Sequence, residues 1–519
     1  RDDNILVVGL LPNKTLRQQP WTMDHGPTRG NKHSIFPNAS PRYKPLAISH
    51  TPYTVRHPLY IFYFAAMSKA ITTVRKEAKS IFDRLGTESL RRNILQAFPF
   101  WVASLATGLV AVAYTKLFVY SENTLLGLWA WKPWAVFIVT PVCFFFAWLV
   151  VQLFAPNAKG SGIPQVMAAV EFSKPRLGYQ IDKLLSLRIL VIKIISSLFM
   201  ILGGGAIGRE GPTIQIAGSI FRFINRITPA SWPRVSAQSF ILTGASAGLA
   251  AAFNTPLGGI VFAMEELSKI HIRFFRSALF SAVLIAGLTA QALIGPYLYL
   301  GYPDVKGLGF KIFAAVALTA VVAGVAGSLM SKLILAIAKW KKGFNTTKTV
   351  IFVILSGLLI AAAAYFLNDA VLGSGKRLMN TVLFTDDKYS SWDTMLSRIL
   401  SPVVCFNTGA AGGIFAPSLA AGAAVGSFIS QLFQVVGANA NILALAGMVG
   451  FLTGVTRTPF TSAILVLEMT DRHSVIFHLM LAALLSNIVA VMIEKHSLYE
   501  QLKKNYVEEM VMKEGEDRR

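Results

Sequence analysis

Apolar residues in this chain run in long blocks rather than in one-sided stripes. The stretches 99–120, 134–155, 189–207, 277–294, 309–330, 349–367 and 474–493 approach or exceed the roughly 20 apolar residues that an α-helix needs to cross a bilayer. The pattern predicts an all-α polytopic membrane protein. Basic residues fall mostly between the blocks, at 67–92, 174–188, 273–276 and 332–348. That placement is the charge asymmetry of cytoplasmic loops. The first 66 residues break the pattern, with eight of the 23 prolines, four of the eight histidines and no long apolar run. They are expected to be disordered or an untranslated extension, with Met67 opening an amphipathic cytoplasmic segment over 67–92.

The blocks also repeat. GASAGLAAAFNTPLGGIVFAMEE (244–266) aligns with GMVGFLTGVTRTPFTSAILVLEM (447–469) at one constant offset. Gly244 meets Gly447, Thr255-Pro256 meets Thr458-Pro459, and Glu265 meets Glu468. GREGP (208–212) lines up with GIFAP (413–417) at nearly the same offset. Two transmembrane repeats follow, 93–300 and 301–495, with a C-terminal cytoplasmic helix and tail over 496–519. In transporters built from inverted-topology repeats, the substrate site lies where broken helices of the two halves meet.

Three glycine-rich segments carry the candidate chemistry: GSGIP (160–164), GREGP (208–212) and GGIFAP (412–417). Each reads as a non-helical loop opening a helix, because proline suits the first turn and glycine permits unusual backbone before it. Helix N-termini present unpaired N–H groups and about half a positive charge. Several converging on one point make an anion site. Any one alone could equally be a tight turn or a close helix-packing spot.

Composition agrees with the block pattern. The 519 residues are 54% hydrophobic and 14% charged, with a mean hydropathy of +0.53. The net charge of +23 is accounted for by loop lysines and arginines, so nucleic acid is not an expected partner. Cys143 and Cys405 give no disulfide framework or metal pattern and read as packing residues. No metal or cofactor is expected.

GSGIP, GREGP and GGIFAP, in this order and with these gaps, resemble the CLC family of chloride channels and chloride/proton antiporters. The likeness extends through AFNTPLGGIVFAMEE, PFTSAILVLEMTD and HSLYEQL, covering roughly 93–505. It implies two inverted repeats, a homodimer in a lipid bilayer, and chloride and protons as cargo. It also implies site residues. Ser161 and Tyr499 resemble the hydroxyls that donate to the central anion, and the amides of Ile414 and Phe415 complete the cradle. Glu210 resembles the external gating glutamate, which competes with chloride when ionised and yields when protonated. Glu266 resembles the internal proton-transfer glutamate of the family's exchangers. Lys193 matches a family lysine that either adds positive potential near the anion path or pairs with a carboxylate.

Other readings of the same residues stay open. Glu210 could be a buried carboxylate paired with Arg209, and Glu266 a helix-end charge facing water. Gln165 follows GSGIP where many relatives carry glutamate. Glu265, the repeat partner of Glu468, reads as structural. The chain ends in the short charged tail NYVEEMVMKEGEDRR, so a nucleotide-sensing domain is not expected. The expectation is secondary active chloride/proton antiport across a membrane, with termini cytoplasmic and a bacterial inner membrane as the setting. A passive proton-gated chloride channel is the alternative. A hydrolase using Ser161 would need a base within hydrogen-bond reach, and the histidines (those of the N-terminal tail, 271, 473, 478 and 496) are expected outside the main apolar spans.

Overall fold

The computed structural model describes residues 87–173, 178–267, 276–295, 298–306 and 309–517. The expectations for 1–66 and for 67–86 lie outside the described residues. Within the unit Ser80–Arg519, the described residues form eighteen α-helices, joined by short loops and single 3-10 turns.

The first half holds α1 (Glu88–Trp131), α2 (Val136–Phe154), α3 (Ile163–Glu171), α4 (Ile181–Leu184), α5 (Leu187–Leu202), α6 (Glu210–Ile227), α7 (Ala237–Phe253), α8 (Pro256–Phe262) and α9 (Arg276–Ile294). The second holds α10 (Phe310–Trp340), α11 (Thr346–Phe366), α12 (Lys376–Phe384), α13 (Trp392–Phe406), α14 (Phe415–Leu432), α15 (Ala438–Thr456), α16 (Pro459–Thr470), α17 (Ile476–Ile493) and α18 (Leu498–Asp517). The expected domain boundary at 92/93 falls inside the continuous helix α1.

Nine helical segments among the described residues are long and apolar enough to span a membrane. Seven correspond to the apolar blocks read from the sequence. The other two are α14 and α15, which the hydropathy pattern alone did not mark. Their mean hydropathies are only 1.3 and 1.5, and they are 83% and 89% buried inside the protein. They need small side chains more than oily ones, because they pack backbone to backbone. A Cβ on Gly447 would sit 2.1 Å from the Gly422 carbonyl oxygen, and one on Gly426 2.1 Å from that of Leu443. Such small-residue seams are how helices approach closely where lipid offers no hydrophobic drive. The peripheral helices show the opposite pattern. Leu109, Leu288, Leu355 and Val491 are exposed, as side chains facing lipid must be.

The repeat seen in the sequence is reproduced in the backbone. Both α7 and α15 end on a left-handed residue, Asn254 (φ 57°) and Arg457 (φ 60°). Each is followed by a threonine of nearly identical conformation, Thr255 (φ −125°, ψ 81°) and Thr458 (φ −121°, ψ 78°). Each then restarts as a helix on proline. The two broken helices also grip one another. Glu468 of the second half accepts from the Leu257 and Gly258 N–H groups of α8 at 3.0 and 2.6 Å. Glu265 of the first half accepts from the Phe460 and Thr461 N–H groups of α16 at 3.1 and 2.7 Å, and from Thr461 Oγ1 at 2.7 Å. Each carboxylate caps the positive end of the other half's helix, where a negative charge is favourable. This reciprocity is what a two-fold relation between the halves produces. It gives Glu265 the structural role expected of it.

One expectation needs correction. His478 does not lie outside the apolar spans: it is buried in α17, with its ring stacked on Phe313 at 4.1 Å between centroids. The polar run DRHS (471–474) precedes the span, but the helix turns residue 478 inward.

Candidate functional site

All three glycine-rich segments open a helix where the sequence places one. The helix α3 begins at Ile163, α6 at Glu210 and α14 at Phe415. Their loops are tied to one another by backbone hydrogen bonds. Gly208 and Gly413 exchange both N–H groups, at 2.7 and 2.8 Å. The Gly160 N–H donates to the Ala410 carbonyl at 2.8 Å, and the Gly412 N–H to the Gly160 carbonyl at 3.0 Å. The glycines are needed at these crossings. A Cβ on Gly211 would fall 2.3 Å from Ser161 Oγ, and Gly162, at φ +103°, occupies backbone that other residues rarely adopt. Three helix N-termini from distant parts of the chain therefore meet in one place.

Glu210 sits at this junction and is fully buried. Its carboxyl group lies near enough to its own N–H and to that of Ala416, in the first turn of α14, for both to favour its charged form. The side chain thus sits at the N-terminal ends of two helices, one from each half. A Cβ on Gly208 would lie 2.2 Å from Glu210 Oε2, so the missing side chain at 208 leaves room for the carboxylate. Arg209 does turn towards this region, with its guanidinium carbon 5.8 Å from the centre of the Tyr299 ring.

On the other side of the loops, Ser161 Oγ and Tyr499 OH lie close together, sealed from solvent. Neither finds a hydrogen-bond partner of good geometry in the protein. Burying a hydroxyl unbonded costs about 1–3 kcal/mol, and two such groups beside the first N–H groups of α14 make a set of donors suited to an anion. Ile414 caps that helix and Phe415 is its first residue, both buried. The Phe415 ring lies parallel to that of Tyr499, with centroids 6.2 Å apart, which fixes the tyrosine from the apolar side. A cavity of about 270 Å³ reaches Ser161 past Lys159, Gln165, Lys341 and Tyr506.

Lys193 is completely buried and pairs with no carboxylate among the described residues. Its ammonium donates to the Ala158 and Gly160 carbonyls at 2.8 and 2.7 Å. It holds the loop that carries Ser161. The Gln165 amide does similar work, donating to the Asn157 and Lys159 carbonyls at 3.1 and 2.6 Å and to Tyr506 OH at 3.0 Å. An ionised glutamate could donate none of these bonds, so this departure from the family pattern ties the Ser161 loop to the C-terminal helix α18. Sequence reasoning did not anticipate that clasp, because 341 residues separate Gln165 and Tyr506.

Glu266 is buried on a π-helical turn, Ala263–Leu267, that continues α8. Single π turns inside helices recur at functional sites because they rotate one side chain out of register. Here the turn separates Glu265, which caps α16, from Glu266. Both Glu266 and Glu210 are near enough to Tyr499 for their charge to act on it, and the two carboxyl groups come from different helices.

Solved structures share this fold. The slow cyanobacterial Cl−/H+ antiporter seen by crystallography is 24% identical, with a TM-score of 0.68 over 79% of this chain and 97% of that one. A CLC-type fluoride/proton antiporter is 19% identical, with a TM-score of 0.66 over 80% and 98%. A eukaryotic CLC transporter is also 19% identical, with a TM-score of 0.64 over 79% and 74%. The sequence profile of the voltage gated chloride channel family matches residues 143–491, well over half of the chain and inclusive of all three helix-opening loops. This multi-pass integral membrane protein therefore belongs to the voltage gated chloride channel (CLC) family.

Proposed function

We propose that the chain exchanges chloride for protons, with Glu210 as the shared gate. The observation that carries this reading is the buried Glu210 carboxyl group at the meeting point of α6 and α14, within the influence of the Glu210 and Ala416 N–H groups. A carboxylate and a chloride are both monovalent anions, so one can replace the other at helix N-termini. Ionised, Glu210 holds the position; protonated, it loses the electrostatic reason to stay and chloride takes the place. Transport then accelerates as external pH falls. Ser161, Tyr499 and the Ile414 and Phe415 amides hold the central chloride. Neutral donors and dipoles serve a carrier well, since a full positive charge would bind the ion too tightly to release it.

A path lined by anion-attracting dipoles does not suit a proton, which needs carboxylates of its own. Glu266, buried and turned away from Glu265 by the π turn, supplies the inner one. Its presence favours exchange over a passive, proton-gated channel. Lys193 acts by positioning the Ser161 loop. The reading includes a homodimer in the bilayer, each subunit with its own pathway, as the family resemblance implies. It also includes a bacterial inner membrane with cytoplasmic termini, supported by the likeness to a cyanobacterial antiporter.

The test is made on protein reconstituted in liposomes with a chloride gradient and no pH gradient, the voltage clamped by potassium and valinomycin. Uphill proton movement driven by chloride, lost in Glu210→Gln with chloride flux retained, establishes exchange. Chloride flux without proton movement in the wild type establishes the channel instead.

A further inference from the structure

The helix α18 carries Tyr499, yet beyond its first turn it is attached to the protein mainly along one stripe. Its start is fixed. Arg457 donates to the Glu494 carbonyl at 3.2 and 3.1 Å. Ser497 and Glu500 then close a capping box, the Glu500 N–H donating to Ser497 Oγ at 3.0 Å and the Ser497 N–H to Glu500 Oε2 at 3.3 Å. From there α18 packs chiefly on α3. Tyr499, Lys503 and Tyr506 are spaced by four and three residues, so they fall on one face of the helix. Lys503 pairs with Glu171, the last residue of α3, at 3.0 Å. Tyr506 OH accepts from Gln165 Nε2, in the first turn of α3, at 3.0 Å.

The two attachments are unequal. Lys503 and Glu171 are both partly exposed, and an ion pair in water holds little. Gln165 and Tyr506 are buried, so their bond is the stronger tie. It is also built to yield. The Gln165 amide has two N–H groups for three acceptors, the Lys159 carbonyl at 2.6 Å, Tyr506 OH at 3.0 Å and the Asn157 carbonyl at 3.1 Å. Lys159 takes one, and Tyr506 shares the other with Asn157. If Tyr506 leaves, Asn157 keeps the amide satisfied. The space to leave into is present. The cavity of about 270 Å³ that reaches Ser161 is walled by Gln165 on one side and by Leu502, Asn505 and Tyr506 of α18 on the other.

We propose that Gln165 and Tyr506 are a pair of positioning residues, a latch that sets how tightly Ser161 and Tyr499 close on the central anion. Latched, α18 lies on α3 and keeps the Tyr499 hydroxyl beside Ser161. Released, α18 pivots about its fixed start and widens the way from the central position into the cavity. Tyr506 stands about 10 Å further along the axis than Tyr499, at 1.5 Å per residue, so a swing at the latch reaches the anion site reduced but not lost. The inference rests on the anion transport proposed above.

The experiment uses the full chain and measures chloride turnover at saturating chloride in liposomes, chloride binding by calorimetry, and melting temperature in detergent. Tyr506→Phe removes the latch hydroxyl and nothing else. A neutral hydrogen bond shifts an equilibrium by about two- to tenfold. Turnover is therefore expected to rise about threefold while chloride binds about threefold more weakly, with melting unchanged. Gln165→Met shifts both in the same directions, and adding Tyr506→Phe to it changes neither further, as a double-mutant cycle requires of a direct pair. Lys504→Gln, on the exposed side of α18, behaves as the wild type. Wild-type turnover and binding in Tyr506→Phe overturn the proposal. So does a joint fall of turnover, binding and melting temperature, which marks the hydroxyl as structural, and so do fully additive effects in the double variant, which unpair the two residues. A wild type that carries no chloride overturns the transport reading itself, and is recognised without any variant.

Discussion

Gly208→Ala isolates the seat of Glu210 without touching the carboxylate. Gly208 is not in a left-handed conformation, so alanine can adopt its backbone. The added methyl would lie 2.2 Å from Glu210 Oε2, but 3.1 Å from Ala416 Cβ and 3.2 Å from the Ala416 nitrogen. The helix needs to yield by only tenths of an ångström, whereas the carboxylate must leave. Departure costs it the stabilisation that the Glu210 and Ala416 N–H groups give its charged form, taken here as that of one hydrogen bond. A hydrogen bond to a charged group is worth about 1.5–3 kcal/mol, and 1.36 kcal/mol is a factor of ten. Occupancy of the seat should therefore fall by about 10- to 100-fold for one lost bond. In liposomes, chloride flux should persist while protons moved per chloride fall towards the level of Glu210→Gln. The same substitution in a Glu210→Ala background should add nothing. Full coupling in Gly208→Ala refutes the seating geometry. A fall in chloride flux on adding Gly208→Ala to the Glu210→Ala background shows that the methyl acts through the main chain.

Three further outcomes follow from the same geometry. Glu265→Gln and Glu468→Gln should each lower the unfolding temperature in detergent, at a cost of about 1 kcal/mol per weakened cap. Glu265 should cost more, because it holds three donors against two; unchanged melting in both would show that the reciprocal caps carry no stability. Glu266→Gln should stop proton transport and spare chloride flux, and loss of both would make the residue structural. Tyr499→Phe removes a hydroxyl with no hydrogen-bond partner of good geometry in the protein, so thermal stability should hold. Chloride affinity should drop by about 1–2 kcal/mol, or roughly tenfold; a lowered melting temperature with unchanged affinity would place the hydroxyl in the packing instead.

Much of this protein is written in local sequence. Long apolar blocks predict spanning helices because the bilayer core demands continuous hydrocarbon. Gly-x-Gly-Ile-Pro, Gly-Arg-Glu-Gly-Pro and Gly-Gly-Ile-Phe-Ala-Pro predict helix starts because φ freedom and proline's missing N–H belong together at a first turn. The matched Thr-Pro and Glu positions predict the repeat, and the backbone at Thr255 and Thr458 confirms it to within a few degrees. Tertiary structure decided the rest. The spans α14 and α15 are enclosed by protein, so their helices are encoded in glycine seams rather than in hydropathy. Which carbonyls Lys193 meets, which donors Glu265 and Glu468 cap, and which tyrosine Gln165 reaches all depend on segments far apart in the chain. A lysine reads the same in sequence whether it pairs with a carboxylate or props up a loop. Its role is set by the electrostatic and hydrogen-bonding partners that only the packed fold brings within a few ångströms.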